Sequence, residues 1–134
     1  MKPKRILVVD DDTDVLRTTS KTLEEAGYEV DQAQNGRQGI ERIWHAKPDL
    51  VVLDVVMPGL NGWDLLQAIR GDEATAKLPV IMLTVLDQDQ HVAQGWELGA
   101  DFYLTKPFSP AYLLDIVKRL LFAAEGSEAS DREA

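Results

Sequence analysis

The segment Asp49-Leu50-Val51-Val52-Leu53-Asp54 decides how the rest of the chain is read. Five of its residues read as a buried strand, and the sixth is a carboxylate. A short apolar run with β-branched residues suits a parallel strand covered on both faces. Val55-Val56-Met57-Pro58-Gly59 follows, a loop that Pro and Gly force out of regular structure. Asp54 therefore falls at the carboxyl end of a central strand, the edge at which open α/β sheets bind ligands. One carboxylate does not decide a function, so its neighbours in space have to.

On the amino side, Ile6-Leu7-Val8-Val9 is a first buried strand running into Asp10-Asp11-Asp12. A helix begins at Thr13, with Val15, Leu16, Thr19 and Leu23 on one face and Gly27 as its stop. Asp12 or Thr13 is its natural cap, because a short side-chain oxygen accepts from the first free amides. Tyr28 to Ala33 alternates like a more exposed strand. Asn35-Gly36 opens a second helix striped by Ile40, Ile43 and Trp44, which Pro48 closes.

On the carboxyl side, Asn61 caps a third helix carrying Trp63, Leu66 and Ile69, and Gly71 to Ala74 reads as a loop. Pro79 to Thr84 is a fourth strand, and a fourth helix through Val92, Ala93 and Trp96 stops at Gly99. Its apolar content is thin, which predicts loose packing. Phe102 to Leu104 is a short fifth strand ending at Thr105-Lys106-Pro107. The last helix starts near Ser109-Pro110, with Leu113, Ile116, Val117, Leu120 and Leu121 at helical spacing. Residues 1–122 are expected to form the folded unit. Residues 123–134, small and charged, are expected to form a frayed tail or the start of a linker.

Strand and helix alternate five times without an internal repeat. That is the pattern of an α/β, doubly wound, five-stranded parallel sheet with helices on both faces. The length of 134 residues allows one such domain. A formal charge of −9 argues against a nucleic-acid surface. The lack of cysteine excludes disulfides, thiolate metal sites and thiol catalysis. The apolar run after the basic amino terminus stops at Asp10, too short for a signal peptide or a membrane span, so a cytoplasmic location is expected.

Parallel strands deliver their carboxyl ends to one rim. Asp10 and Asp11, Asp54, Thr84 and Lys106 would meet there. Clustered carboxylates repel one another and invite a divalent cation. Hard oxygen ligands with open positions suit Mg2+. Helix capping competes as a reading of the acidic run and is preferred for Asp12; for Asp10 and Asp11 the metal is preferred, because two strands must agree to make the site. The set matches phosphoryl transfer to a carboxylate: Asp54 as nucleophile, Lys106 as a point charge, Thr84 as a donor. No glycine-rich phosphate loop is present, so a small or protein-bound phosphoryl donor fits better than a nucleotide.

Four blocks carry a family resemblance: Val8-Val9-Asp10-Asp11, Leu53-Asp54-Val55-Val56-Met57-Pro58-Gly59, Leu83-Thr84 and Tyr103-Leu104-Thr105-Lys106-Pro107-Phe108. In order along about Lys4 to Phe122, they resemble the receiver domain of bacterial two-component response regulators, of the chemotaxis-regulator-like kind. Each block alone is a weak pattern; four in register are specific. The flavodoxin-like strand order 2-1-3-4-5 is carried over from known members of that family.

The resemblance implies that Asp54 accepts a phosphoryl group from a sensor histidine kinase or phosphotransfer protein. It implies Mg2+, for which Mn2+ could substitute, held by Asp11, Asp54 and the backbone carbonyl of Val56, with Asp10 reaching it through water. Thr84 would shift toward the phosphoryl group, Tyr103 would rotate inward, and the Lys106–Pro107 bond would be cis. The readout would be the surface of the fourth helix, fifth strand and fifth helix, biased by phosphorylation. Its user would be a downstream protein or a fused output domain, and a phosphorylation-dependent dimer is a further expectation. No direct nucleic-acid or membrane contact and no small-molecule turnover are expected.

Val56 and Leu86 occupy the positions where the family tunes dephosphorylation. Both are apolar, so neither can hold an attacking water, and a long-lived phosphoryl group is expected. Phe102 replaces the acidic residue common before Tyr103 in winged-helix regulators and suggests an apolar partner patch. Trp44, Trp63 and Trp96 read as core or rim packing, Met57 and Met82 as packing, and His45 and His91 as surface imidazoles. Two rivals stand beside the switch. A Mg2+-dependent aspartyl phosphatase would want a second acid where Val56 stands. A pseudo-receiver acting only by docking would not need the full set of five polar residues.

Overall fold

The alternation of apolar residues along each strand sorts the core into two layers. In β3 (Leu50–Asp54), all five residues are buried. Val51 and Leu53 face one side with Leu7, Val9, Val80 and Met82. Leu50 and Val52 face the other with Ile6, Val8, Ile81 and Leu83. A strand with period-two side chains can be apolar throughout only if both faces are covered.

The covering helices alternate with the strands. The structure, a computed structural model, describes residues 3–55, 61–85 and 99–133. Its elements are β1 (Arg5–Val9), α1 (Thr13–Glu25), β2 (Glu29–Ala33), α2 (Gly36–Ala46), β3, α3 (Gly62–Gly71), β4 (Val80–Val85), β5 (Phe102–Lys106) and the C-terminal helix α4 (Pro110–Glu133). The five strands are parallel, in the order β2-β1-β3-β4-β5. Trp63, Leu65, Leu66 and Ile69 of α3 and Ile43 of α2 pack on one face. Leu16 and Leu23 of α1, with Leu113, Ile116, Val117 and Leu121 of α4, pack on the other. Each such fully buried aliphatic contributes about 1.5–3 kcal/mol relative to exposure. The expected doubly wound architecture and strand order are observed.

Helix starts follow their caps. Asp12 accepts from the amides of Asp14 (2.9 Å) and Val15 (3.3 Å). Asn35 accepts from Gln38 (2.9 Å), and Asn61 and Asp64 form a reciprocal capping box. Helix ends depart more from expectation. α2 stops at Ala46, before Pro48, because Lys47 turns left-handed at φ 49°. α3 includes Gly71, and β2 begins at Glu29 rather than Tyr28. β5 extends two residues past Leu104, because Thr105 and Lys106 pair with Thr84 and Val85.

Within residues 123–134, the expected frayed tail or start of a linker, the last helix continues to Glu133. Ala123, Ala124 and Glu125 are strong helix formers that continue α4 without a break. Lys4 Nζ also holds Glu125 at 3.1 Å. The expected helix through Val92, Ala93 and Trp96 lies outside the described residues, as do Met57, His91 and the loop Pro58-Gly59. Among the described residues, no helix is long and apolar enough to cross a membrane.

Candidate functional site

β1 and β3 are neighbours in register, Val9 opposite Leu53, so the residues that follow them emerge side by side. Asp10 continues the β1 ladder with its amide on the carbonyl of Ala33 (3.1 Å). Its carboxylate is fully buried: Oδ1 accepts from the Asp12 amide (2.9 Å), and Oδ2 meets Lys106 Nζ (3.0 Å). Asp54 is the last residue of β3 and only 6% exposed, with Oδ1 3.3 Å from the same Nζ. Asp11 is exposed at the mouth. Carboxylate oxygens of Asp10, Asp11 and Asp54 lie within 4.8 Å of one another.

Two of the three carboxylates, Asp10 and Asp54, thus share one ammonium, with Asp11 beside them. Burial is the largest influence on Asp54, followed by the negative charge of Asp10; with a hydrogen bond involving Asp11 they outweigh the pull of Lys106 and push its pKa up to about 7. Burial alone would lower the pKa of Lys106, but its contacts with Asp10 and Asp54 prevail and raise it. The ammonium therefore stays charged while the cluster keeps an excess of negative charge. A hard divalent cation with oxygen ligands fits that donor set. Asp54 would then be the acid held ready, its charge stabilised by whichever cation arrives.

Thr84 is buried at the end of β4, one residue beyond Leu83, which pairs with Asp54. Thr84 pairs with Thr105, and Lys106 follows. The rim therefore gathers Asp10, Asp11, Asp54, Thr84 and Lys106, as the strand ends require. The Lys106–Pro107 peptide bond is cis. Tyr103 lies two strands from Asp54, half-buried against the core, with its ring centroid 6.1 Å from that of Trp63. Burial raises its phenol pKa. Val56 and Leu86 lie outside the described residues.

Other expectations resolve more simply. Asp12 caps α1, as preferred. Trp63 and Met82 are buried, Trp44 is a half-exposed rim residue, and His45 is exposed. Phe102 is partly buried, and its ring meets half-exposed Tyr112 edge-on at 6.0 Å, so this part of the surface is apolar.

Two supports of the site escaped the sequence reading. Gly62 brings the start of α3 against β3: its amide donates to Val55 O (3.1 Å), and a Cβ there would run into the Asp54 carbonyl oxygen and approach Val55 Cα to 2.8 Å. The signal was available, since a glycine right after a helix cap has no local need to be glycine. Arg70 clamps the amino ends of β4 and β5, donating to Leu78 O (2.6 Å), Gly99 O (2.8 Å) and Asp101 Oδ2 (2.7 Å). Asp101 in turn accepts from the Val80 amide (2.8 Å). Nothing local marks an arginine whose partners lie up to 31 residues away.

Comparison with known proteins points the same way. The family model of the response regulator receiver domain matches residues 6–118. The chain is 45% identical over 117 residues to the DNA-binding dual master transcriptional regulator RpaA of Synechocystis sp., a match covering 87% of this chain and 48% of that protein. It is 42% identical over 121 residues to the phosphate regulon transcriptional regulatory protein PhoB of Pseudomonas aeruginosa, covering 90% of this chain and 53% of the relative. The chain thus spans about half the length of these curated relatives. A CheY-like response regulator receiver domain protein from Methanospirillum hungatei superposes with a TM-score of 0.88 at 32% identity, covering 94% of this chain and 99% of that one. With the strand order, the acidic rim and these matches in agreement, the chain belongs to the response regulator receiver domain family.

Proposed function

We propose that this receiver domain is a phosphorylation-dependent switch in which Asp54 accepts a phosphoryl group from the histidine of a sensor kinase or phosphotransfer protein. An Asp54 carboxylate oxygen bonds to phosphorus as the phosphorus–nitrogen bond breaks, and the imidazole leaves with the electron pair. Asp10, Asp11 and Asp54, with the Val56 carbonyl, would hold Mg2+, which when bound neutralises charge on the phosphoryl oxygens. Lys106 holds another phosphoryl oxygen, and Thr84 donates to the group once attached. The observation that carries this reading is the Lys106 ammonium bridging Asp10 at 3.0 Å and Asp54 at 3.3 Å inside the acidic cluster. A cation held between two carboxylates leaves both poised for an incoming group with charged oxygens.

The proposed output surface is that of the helix expected through Val92, Ala93 and Trp96 together with β5 and the C-terminal helix, with Tyr103 turning inward in the phosphorylated form. The relatives named above include transcription regulators, so a fused or separate effector is the proposed user, and phosphorylation-dependent dimerisation one form of the response. The net charge of −9 supports a reading in which any nucleic-acid contact belongs to that effector. Residues 1–122 are proposed as the receiver unit, with 123–134 as its connector.

Incubation with acetyl phosphate and Mg2+, followed by mass spectrometry, tests the reading. A single phosphate adduct is expected on the wild-type chain and none on Asp54→Asn. Continuous hydrolysis without an adduct would instead mark an aspartyl phosphatase. An inert wild-type chain would mark a pure docking module.

A further inference from the structure

Asp54 and Tyr103 lie on different strands, separated by β4. The first turn of α3 spans that gap. Gly62 has no side chain, which lets the helix start rest against the Asp54 carbonyl while its amide binds Val55 O at 3.1 Å. The next residue, Trp63, is 8% exposed, and its ring meets the Tyr103 ring at 6.1 Å with planes tilted by 46°. Offset or tilted ring pairs attract at centroid separations of about 4.5–7 Å. At the other end of α3, Arg70 grips Gly99, Leu78 and Asp101, which borders β5. The helix is therefore attached to the Asp54 strand at its start and to the β5 region at both ends.

We propose that Trp63 is a positioning residue for Tyr103, holding its ring and tying its position to the backbone at Asp54 through the first turn of α3. The inference rests on the phosphoryl-switch reading and adds a coupling path to it. A shift of the Asp54 strand end presses directly on Gly62, and the adjoining Trp63 moves with it. Close packing transmits such displacements because the interior has few voids to absorb them. Coupling of this kind has to be demonstrated by perturbing both partners.

The test uses the full chain with Trp44→Phe and Trp96→Phe, leaving Trp63 as its single tryptophan, and beryllofluoride with Mg2+ as the phosphoryl mimic. Binding is read independently as thermal stabilisation. The expected result is a change in Trp63 emission on binding that falls at least twofold when Tyr103→Leu is added, with stabilisation retained. In a second arm, fluorotyrosine incorporation reports Tyr103 by 19F NMR. Its shift on binding should persist in Trp63→Phe and fall at least twofold in Trp63→Ala. Stabilisation with unchanged Trp63 emission, or a Tyr103 shift indifferent to Trp63→Ala, overturns the inference alone. Absence of any Mg2+-dependent stabilisation overturns the switch reading and this inference together.

Discussion

Asp54 is the proposed phosphoryl acceptor, and its titration makes a testable claim. Its pKa rises from the ordinary carboxylate range to about 7, because burial and the charge of Asp10 disfavour its ionised form in the folded state. The sign follows from proton counting. Between pH 4 and 7 the folded chain holds a proton on Asp54 that the unfolded chain releases, so this group's stabilisation is present at low pH and disappears as pH rises through about 7. Asparagine does not titrate. Without metal, Asp54→Asn should therefore exceed wild type in stability at pH 8 by up to about 4 kcal/mol, the gap closing toward pH 4. Urea denaturation at the two pH values measures it; a gap that is constant or reversed would contradict the electrostatic account. Mg2+ must also compete with that proton, so its affinity should fall about tenfold per pH unit below pH 7. Calorimetric titrations at pH 6 and pH 8 test this, and a pH-independent affinity would remove Asp54 from the ligand set. Val56 and Leu86 supply a kinetic claim: a polar residue at either position should shorten the phosphoryl lifetime severalfold, read as decay of the adduct.

Two helix termini test how the elements hold the rim. Gly62→Ala would drive a methyl group into the Asp54 carbonyl, so either the helix start or the strand end must shift. Overpacking of this kind costs about 1–3 kcal/mol, and phosphorylation by acetyl phosphate should slow with it. A variant as stable and as reactive as wild type would show that α3 does not set the strand end. Lys47 is the opposite case. It is exposed, sits at φ 49° and is the only non-glycine residue with positive φ among those described. Glycine adopts that conformation without the steric penalty of a Cβ, which outweighs its larger entropy loss, so Lys47→Gly should stabilise the chain by about 0.5–1 kcal/mol, measured by chemical denaturation, with phosphorylation unchanged.

On the scale of the whole molecule, legibility depended on how local the cause was. β1, β3 and β4 are legible because apolar runs bounded by turn residues report their own burial, whereas β2 shows only as an alternating segment and β5 as a short one. The convergence of Asp10 and Lys106, 96 residues apart, followed once the sheet was parallel, since parallel strands end on one rim. The resemblance supplied the strand order, the cis bond and the interest in Tyr103, which no local pattern contains. What stayed hidden was mutual. Gly62 matters through the Asp54 carbonyl, Trp63 through Tyr103, and Arg70 through carbonyls and a carboxylate 8 to 31 residues distant. The continuation of α4 past residue 122 is helical without an apolar stripe to announce it, since alanine and glutamate favour helix on their own.

The account turns on where a transferred phosphoryl group resides. Treating the phosphorylated chain with borohydride reduces an aspartyl phosphate to homoserine, and peptide sequencing then locates the modified residue. Homoserine at position 54, formed only when Mg2+ was present during phosphorylation, is the predicted result. Modification at any other residue, or an intact Asp54 in a chain carrying phosphate, would contradict it.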